Sequence, residues 1–469
     1  MSELQPTAHR SVWADIRSSM LGGQQDFTTG SIGRAVLVLS VPMMIEMIGQ
    51  SIFGIVDAFF VGKLGAAPLA AVGLTDSLLT IVFSIALGLA MATTAFVARR
   101  IGEKKPEEAS HGAFQALALG TGVSIPFALA GIIFAPQLLG MLGAEAETIA
   151  VGSRYTSVVL GGSSTVFLLF LINAIFRGAG DATLAMRALW LANLLNIALD
   201  PILIFGWGPI PAFGVTGAGI ATTLARGLGV LYQLYLLSSG AGRLRVGLRG
   251  MGFDGAVARR LVQVAGPGML QYLIGTGSWL VVMRIVALFG SAAVAGYTIA
   301  VRILIFALLP SWGMANAAAT LVGQNLGAGK PERAERSVWI TAGANVLFLG
   351  VVGALLIAFA RPLVEPFSAS EAVVSFGADC VRIISYSYAF FAVGMVAIQA
   401  FNGAGDTSTP TWINFFCLWV LELPLAYLLA RSLGWGAAGV FWAITAAQGA
   451  VAVVGVLAFR KGSWKHREF

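Results

Sequence analysis

Twelve long apolar runs, separated by short polar segments, leave this chain few folds to choose from. They fall near residues 35–61, 68–97, 112–135, 148–174, 183–206 and 214–238, then near 260–288, 293–322, 337–359, 372–400, 411–431 and 438–459. Each is long enough to cross the roughly 30 Å hydrocarbon core of a bilayer, some with tilt. In that waterless core the backbone must satisfy its own hydrogen bonds. The runs lack the two-residue alternation of barrel strands, so they predict helices. A soluble fold could not hide them: 57% of the 469 residues are hydrophobic and only 11% are charged, against roughly 25% charged in an average soluble domain. The predicted class is an all-α integral membrane protein.

The runs form two related sets of six. Sliding the chain by 225 residues places Pro42 on Pro267, Gly65 on Gly290, and Gly102 and Pro106 on Gly327 and Pro331. The same register places Phe176, Gly178, Ala179, Gly180 and Asp181 on Phe401, Gly403, Ala404, Gly405 and Asp406. After a slip of three residues, the GWG at 206–208 meets the GWG at 434–436. Halves of six spans insert with the same orientation, so the axis relating them runs along the membrane normal, with a cavity between them. The prediction is therefore twelve transmembrane helices in two pseudo-symmetric six-helix lobes around a central cavity. Residues 1–30 form a tail, 31–238 the N-lobe, 239–258 a basic linker, 259–460 the C-lobe and 461–469 a second tail. The N-terminal stretch shows no cleavable signal peptide, and Val12 to Met20 read equally as an interfacial helix or as mobile tail.

A net charge of +7 invites a nucleic-acid reading, but its distribution argues otherwise. Basic residues recur after every second run: Arg99, Arg100, Lys104 and Lys105; Arg243, Arg245 and Arg249; Lys330, Arg333 and Arg336; Arg460, Lys461, Lys465 and Arg467. The intervening loops hold little beyond Lys63, Arg361 and Arg431. This is the positive-inside asymmetry of a multi-span protein, and it puts both termini in the cytoplasm. The expected location is the bacterial inner membrane, with the bilayer as partner and no nucleic acid. Cys380 and Cys417 sit in apolar runs, and His9, His111 and His466 lie outside the apolar cores or at their edges, so no metal centre is expected. FRGAGD and FNGAGD lack the ending and the preceding strand of a phosphate loop. They read as tight turns whose Asp181 and Asp406 cap the next helix. No nucleophile–base pair or charged catalytic loop is visible, and the chain is not read as an enzyme.

Ionisable groups inside such helices are costly, roughly 2.5–3.5 kcal/mol at the centre of a span, and are functional candidates by default. Asp57 lies well inside the first span, and Glu46 stands eleven residues earlier, a separation that returns to within about 20° of the same helix face. Gln50 shares that face. In the fifth span Asn193, Asn196 and Asp200 share another, and Pro201 weakens the next turn. Asn173 ends the fourth span. Under the 225-residue shift Asp57 meets Val282, Asp200 meets Leu425 and Asn196 meets Leu421. The carboxylates belong to one half, which favours an ion or proton site there over structural pairing. Glu46 is balanced between such a site and a packing role shared with Gln271. Glu422 reads as an end-of-span residue that snorkels. Arg226, Arg284, Arg302 and Arg382 read as snorkelling or paired, with Arg284 also a candidate partner for a carboxylate at the lobe interface. Met43, Met44, Met47, Met269 and Met283 are candidates for an adaptable apolar cavity or for ordinary packing.

The pieces IVDAFFVGKLGAAPLAAVGL, INAIFRGAGD, NIALDPILIFGWG, GVTGAGIATT and VGQNLGAGKPERA together resemble the multidrug and toxic compound extrusion (MATE) family of secondary transporters. The resemblance covers about residues 30 to 460. It implies two six-helix lobes in a V about a central cavity, and export of amphipathic, often cationic compounds driven by inward proton or sodium flow. Asp57 matches the family's coupling aspartate of the first helix, Asp200 and Asn196 its fifth-helix pair, and Asn173 an asparagine of the same cluster. Thr222 or Thr223 completes it. Gly275 and Phe391 stand where the sodium-linked branch carries acids, so the resemblance favours an N-lobe site and proton coupling, with no cofactor beyond H+ or Na+. On physical grounds the expected cycle neutralises the cluster by protonation from outside and changes the hydrogen bonds between the first, fifth and sixth helices, with Pro42 and Pro201 as bendable points. It then releases substrate outward and resets by deprotonation inside. A monomer is expected. Two other readings stay open, a flippase for lipid-linked intermediates and a sodium-coupled drug exporter.

Overall fold

The computed structural model describes residue 20 and residues 26–247 and 252–467 of the chain. Most of the N-terminal tail, including nearly all of Val12 to Met20, lies outside the described residues, as do Arg249 and residues 468–469. The described chain is helical, with a lone backbone bridge between Trp207 and Ile210 and no strand. Its spans are α1 (Ile32–Gly62), α2 (Ala66–Gly102), α3 (Pro106–Met141), α4 (Ala146–Ala179), α5 (Ala182–Phe205), α6 (Val215–Ser239), α7 (Gly255–Phe289), α8 (Ser291–Gly327), α9 (Pro331–Ala358), α11 (Ser408–Ser432) and α12 (Ala437–Arg460). The bent pair Glu371–Ser385 and Tyr388–Gly403 forms α10, broken by 56°. Every predicted run lies within a residue or two of its helix. Most helices outlast their apolar run because their ends are amphipathic and carry the turn signals. Pro106 and Pro331, a repeat pair, occupy the first turns of α3 and α9, where a missing N–H costs nothing.

The repeat extends to the breaks. α4 is interrupted at Gly162 and α10 at Ser387, residues 225 apart. At Ser387 the hydroxyl and the N–H both bond the Ile384 carbonyl, and Thr445 of α12 donates to the Ile383 carbonyl at 3.0 Å, beside the Tyr386 N–H. A broken helix survives in lipid when neighbours satisfy its backbone in this way.

Each lobe has its own apolar core: one from α1–α6, joined by Leu261 and Ala265 at the start of α7, and one from the rest of α7 through α12. The lobes meet where α1 crosses α8 and where α2 crosses α7 and α8. Glycines make these crossings possible. A Cβ on Gly88 would strike Met269 and the Ala265 carbonyl, and one on Gly313 would strike the Met43 backbone. A Cβ on Gly102 would strike the Gln324 carbonyl, and one on Gly327 the Arg99 carbonyl. Gly88 and Gly313, Gly102 and Gly327, and Arg99 and Gln324 are each 225 apart. One landmark that reveals the repeat in the sequence, the Gly102–Gly327 pair, is thus a contact between the halves. The α8 hydroxyl of Thr320 and amide of Gln324 add hydrogen bonds to the Arg177 and Gly178 carbonyls, at 3.0 and 2.9 Å.

Both described chain ends lie on one face. Lys330 donates to the Thr28 carbonyl (2.8 Å), Arg333 to those of Phe27 and Thr29, and Arg99 to that of Arg467 (2.9 Å). An even number of spans requires this. On the outside, Ile125, Leu129, Ile132 and Ile133 of α3 are about half exposed, an apolar surface suited to lipid.

The described parts of the linker after α6 are packed. Leu244 and Val246 are buried in the N-lobe core, and Gln115 holds the Gly252 carbonyl and the Asp254 N–H. Asp254 caps α7 through the N–H groups of Ala256 and Val257. The expected caps fare differently. Asp406 does accept the Thr409 N–H at the start of α11 (3.3 Å), and Arg467 as well. Asp181 makes no capping bond to α5. The linker takes its carboxylate first, through the Arg243 N–H at 2.6 Å.

Burial pushes the Asp181 carboxyl up to about 6, with the Arg243 N–H and guanidinium opposing. The folded protein therefore holds this proton more tightly than the unfolded chain does. Stability contributed here is present at low pH and is lost as pH rises from about 4 to about 6. Asp181→Asn keeps an acceptor for Arg243 and removes the charge. At neutral pH in detergent it is expected to melt above wild type, by on the order of 1 kcal/mol, with the gap closing near pH 4. No gain at neutral pH would refute this account.

Candidate functional site

A cavity of about 220 Å³ opens among α1, α2, α4, α5 and α6 of the N-lobe, with Tyr272 of α7 contributed from the other lobe. Its wall mixes aromatic rings (Phe53, Phe83, Phe170 and Tyr272) with polar groups (Gln50, Asn193, Asn196, Thr222 and Arg226). The polar faces of α1 and α5 anticipated from helical spacing therefore converge. The Asn193 amide nitrogen is buried without a partner.

Asp200 lies behind the Asn196 wall, fully buried. With its amide oriented to satisfy both neighbours, Asn196 donates to Asp200 Oδ2 at 2.9 Å and accepts from the Thr222 hydroxyl at 3.1 Å. This bridge joins α5 to α6. Asp200 Oδ1 has no partner. Asp57 of α1 is half-buried and within electrostatic range of Asp200, Asp76 and Arg226. Asp76 of α2 is exposed yet hemmed in by protein, as a group facing a cleft would be. Arg226 of α6 faces Asp57, Asp76 and the Tyr155 hydroxyl from beyond salt-bridge distance. The N-lobe thus gathers three carboxylates against one guanidinium.

Not every expected residue joins this set. Asn173 accepts from Gln233 of α6 at 2.7 Å and does not line the cavity. Of the two threonines, Thr222 lines it, whereas Thr223 packs against Gly162 at the break in α4. Glu46 is buried and pairs with Arg177 of α4 at 3.3 Å, with its Oε2 unpartnered. Breaking such a pair on one side is costly because a charge is left uncompensated. Met269 packs at the α2–α7 crossing and Met283 against the C-lobe core. Arg284 is exposed and makes no salt bridge among the described residues, so the suggested pairing with an interface carboxylate is absent. Arg226 does not snorkel, because it faces the acidic cluster.

Two members escaped the sequence reading. Asp76 is an ionisable residue inside an apolar run, the same signal that singled out Asp57 and Asp200. Arg177 sat in a motif read only as a turn, and nothing local marks it as the partner of Glu46.

Two six-helix lobes with a polar cavity beside their interface define a membrane-embedded secondary transporter fold. The MatE family model matches residues 42–202 and 267–428, two segments that begin at the repeat prolines, and the chain belongs to that family of transporters. It is 28% identical over 446 residues to a probable multidrug resistance protein NorM of Thermotoga maritima, covering 93% of this chain and 94% of the relative. It is 28% identical over 397 residues to an FAD transporter of Shewanella oneidensis, covering 85% and 88%. Among solved structures, a MOP-superfamily transporter from Pyrococcus furiosus superimposes with a TM-score of 0.88 at 27% identity, covering 94% of this chain and 98% of that one.

Proposed function

We propose that this protein is a proton-coupled exporter of amphipathic organic cations in a bacterial inner membrane, working as single copies with both termini in the cytoplasm. The observation that carries the reading is the ring-lined N-lobe cavity, flanked by three carboxylates and one guanidinium. Aromatic faces attract organic cations, the more so when desolvated, and surplus acid favours positive charge. Asp57 and Asp200 are the coupling groups, with Asn196 and Thr222 relaying their state between α5 and α6. Protons are favoured over sodium because Gly275 and Phe391 stand where the sodium-linked branch carries acids. Basic residues concentrated on the face with the chain ends support the orientation.

The test is ethidium efflux from proteoliposomes under a proton or a sodium gradient imposed separately. Efflux driven by the proton gradient alone is the expected result. Sodium-driven efflux would overturn the choice of ion. Failure with every organic cation tried would overturn the substrate class. Arg226 and the unpartnered Asn193 amide would then favour an anionic nucleotide such as the one named for the Shewanella relative, or a lipid-linked anion.

A further inference from the structure

The C-lobe holds a buried carboxylate of its own. Glu422 of α11 does not snorkel: it is 3% exposed and points at α7, where the Ser278 hydroxyl reaches it at 3.4 Å. No cation pairs with it among the described residues. The polar groups facing it are few. Ser278 comes from α7, Cys417 from its own helix and Tyr297 from α8. The packed face of α12 contributes no titratable side chain before Arg460. The Tyr297 hydroxyl is buried without a hydrogen-bond partner, its ring stacked on Phe441 of α12.

These helices are the repeat partners of those that hold the N-lobe cluster. α7, α8 and α11 correspond to α1, α2 and α5, which carry Asp57, Asp76 and Asp200. Counted in the 225-residue register, Ser278 and Tyr297 stand four residues before the counterparts of Asp57 and Asp76, and Glu422 three before that of Asp200. Each lies one helical turn away on the same face. The register itself slips in α11, where Phe415–Glu422 and Leu428–Ser432 are π-helical. A π turn takes up an extra residue without lengthening the span, and such turns gather at functional sites. One residue absorbed in the first π stretch makes Glu422 the counterpart of Asn196, whose plain counterpart is Leu421. The C-lobe therefore keeps a polar site at the equivalent place, hidden from a fixed shift by the π turns.

We propose that Glu422, with Ser278 and Tyr297, forms a second proton-binding site, so that each lobe carries its own titrating carboxyl. Its neighbours offer too few oxygens for a sodium ion, whereas a protonated carboxyl needs no cation to be tolerated in the membrane. The Ser278 hydroxyl, shared between Glu422 and the Leu418 carbonyl, holds the charged form, and the unpartnered Tyr297 hydroxyl is within electrostatic range. The role of this site in transport rests on the proton-coupled reading above, but its titration does not.

The test is infrared difference spectroscopy of the purified full-length protein between acid and alkaline buffer. Wild type is expected to show protonated-carboxyl bands that disappear on alkalinisation. Glu422→Gln should remove one band and lower proton uptake by one per molecule, while Asp200→Asn removes a different band. Ser278→Ala should shift the Glu422 band, a readout that holds even if the glutamine variant proves unstable. Unchanged bands and uptake in Glu422→Gln, or an unshifted spectrum in Ser278→Ala, would overturn the proposal. Loss of the Asp200 band alone would leave the N-lobe reading standing without it. Loss of the Glu422 band alone would do the reverse.

Discussion

Asp200→Asn and Asp57→Asn will each reduce gradient-driven efflux by on the order of 100-fold while leaving the protein folded. Asn matches Asp in shape, so the Asn196 bridge to Thr222 survives and the cavity keeps its wall. What disappears is a change of charge. Asp200 is fully buried, its Oδ1 is unpartnered, and no basic group among the described residues lies within salt-bridge distance. A charge in that setting is expensive, so the neutral and charged forms must favour different arrangements of α1, α5 and α6. A side chain that is always neutral fixes one arrangement, and a proton gradient then has nothing to act on. Ethidium should still bind the purified variants, because the aromatic wall is untouched, but binding should no longer respond to pH. Asp76→Asn should cost less, since that carboxylate is already exposed to the cleft. Efflux at wild-type rates in either main variant would remove Asp57 or Asp200 from the coupling machinery.

How far the sequence reaches follows from what each feature depends on. Span positions depend on local apolarity, and the predicted runs match the helices closely. That Glu46, Gln50 and Asp57 share one face of α1, and Asn193, Asn196 and Asp200 one face of α5, was legible because helical spacing fixes which residues share a face. The coupling of Asp57 to Asp76 and Arg226 was not, because it joins α1, α2 and α6, and their relative rotation is set by tertiary packing. Glu46 illustrates the same limit. Its burial could be guessed from its run, but its partner Arg177 sits 131 residues away, in a turn motif that gave no hint of it. Glu422 misled for another reason. The sequence reads it as an end-of-span residue, whereas it stands near the middle of α11, at the end of a π-helical stretch, and meets Ser278 of α7. A fixed repeat register cannot reveal a residue that a wider helical turn has displaced.

Gly102→Leu and Gly327→Leu should each abolish transport, and to a similar degree. The two glycines sit in equivalent places across the pseudo-twofold axis, each against a backbone carbonyl of the opposite lobe. A backbone carbonyl cannot swing aside as a flexible side chain can. The added side chain therefore either separates the lobes at the face with the chain ends or distorts α2 and α8. Overpacking of this kind costs about 1–3 kcal/mol, and it is paid only when the lobes are closed on that face. The equilibrium should accordingly tilt roughly tenfold or more toward the state open there. Spin labels at Glu107 and Glu332, equivalent exposed positions at the starts of α3 and α9, should report a longer distance in both variants than in wild type. Because the hydrogen bonds from Thr320 and Gln324 to α4 close the same seam, Thr320→Val should move the distance the same way by a smaller amount. Unchanged distances with normal efflux in both glycine variants would mean that transport does not require this seam to close. If only one variant responds, the two halves do not share the load at this crossing, and the repeat would be a relic of the sequence rather than a working symmetry of the transporter.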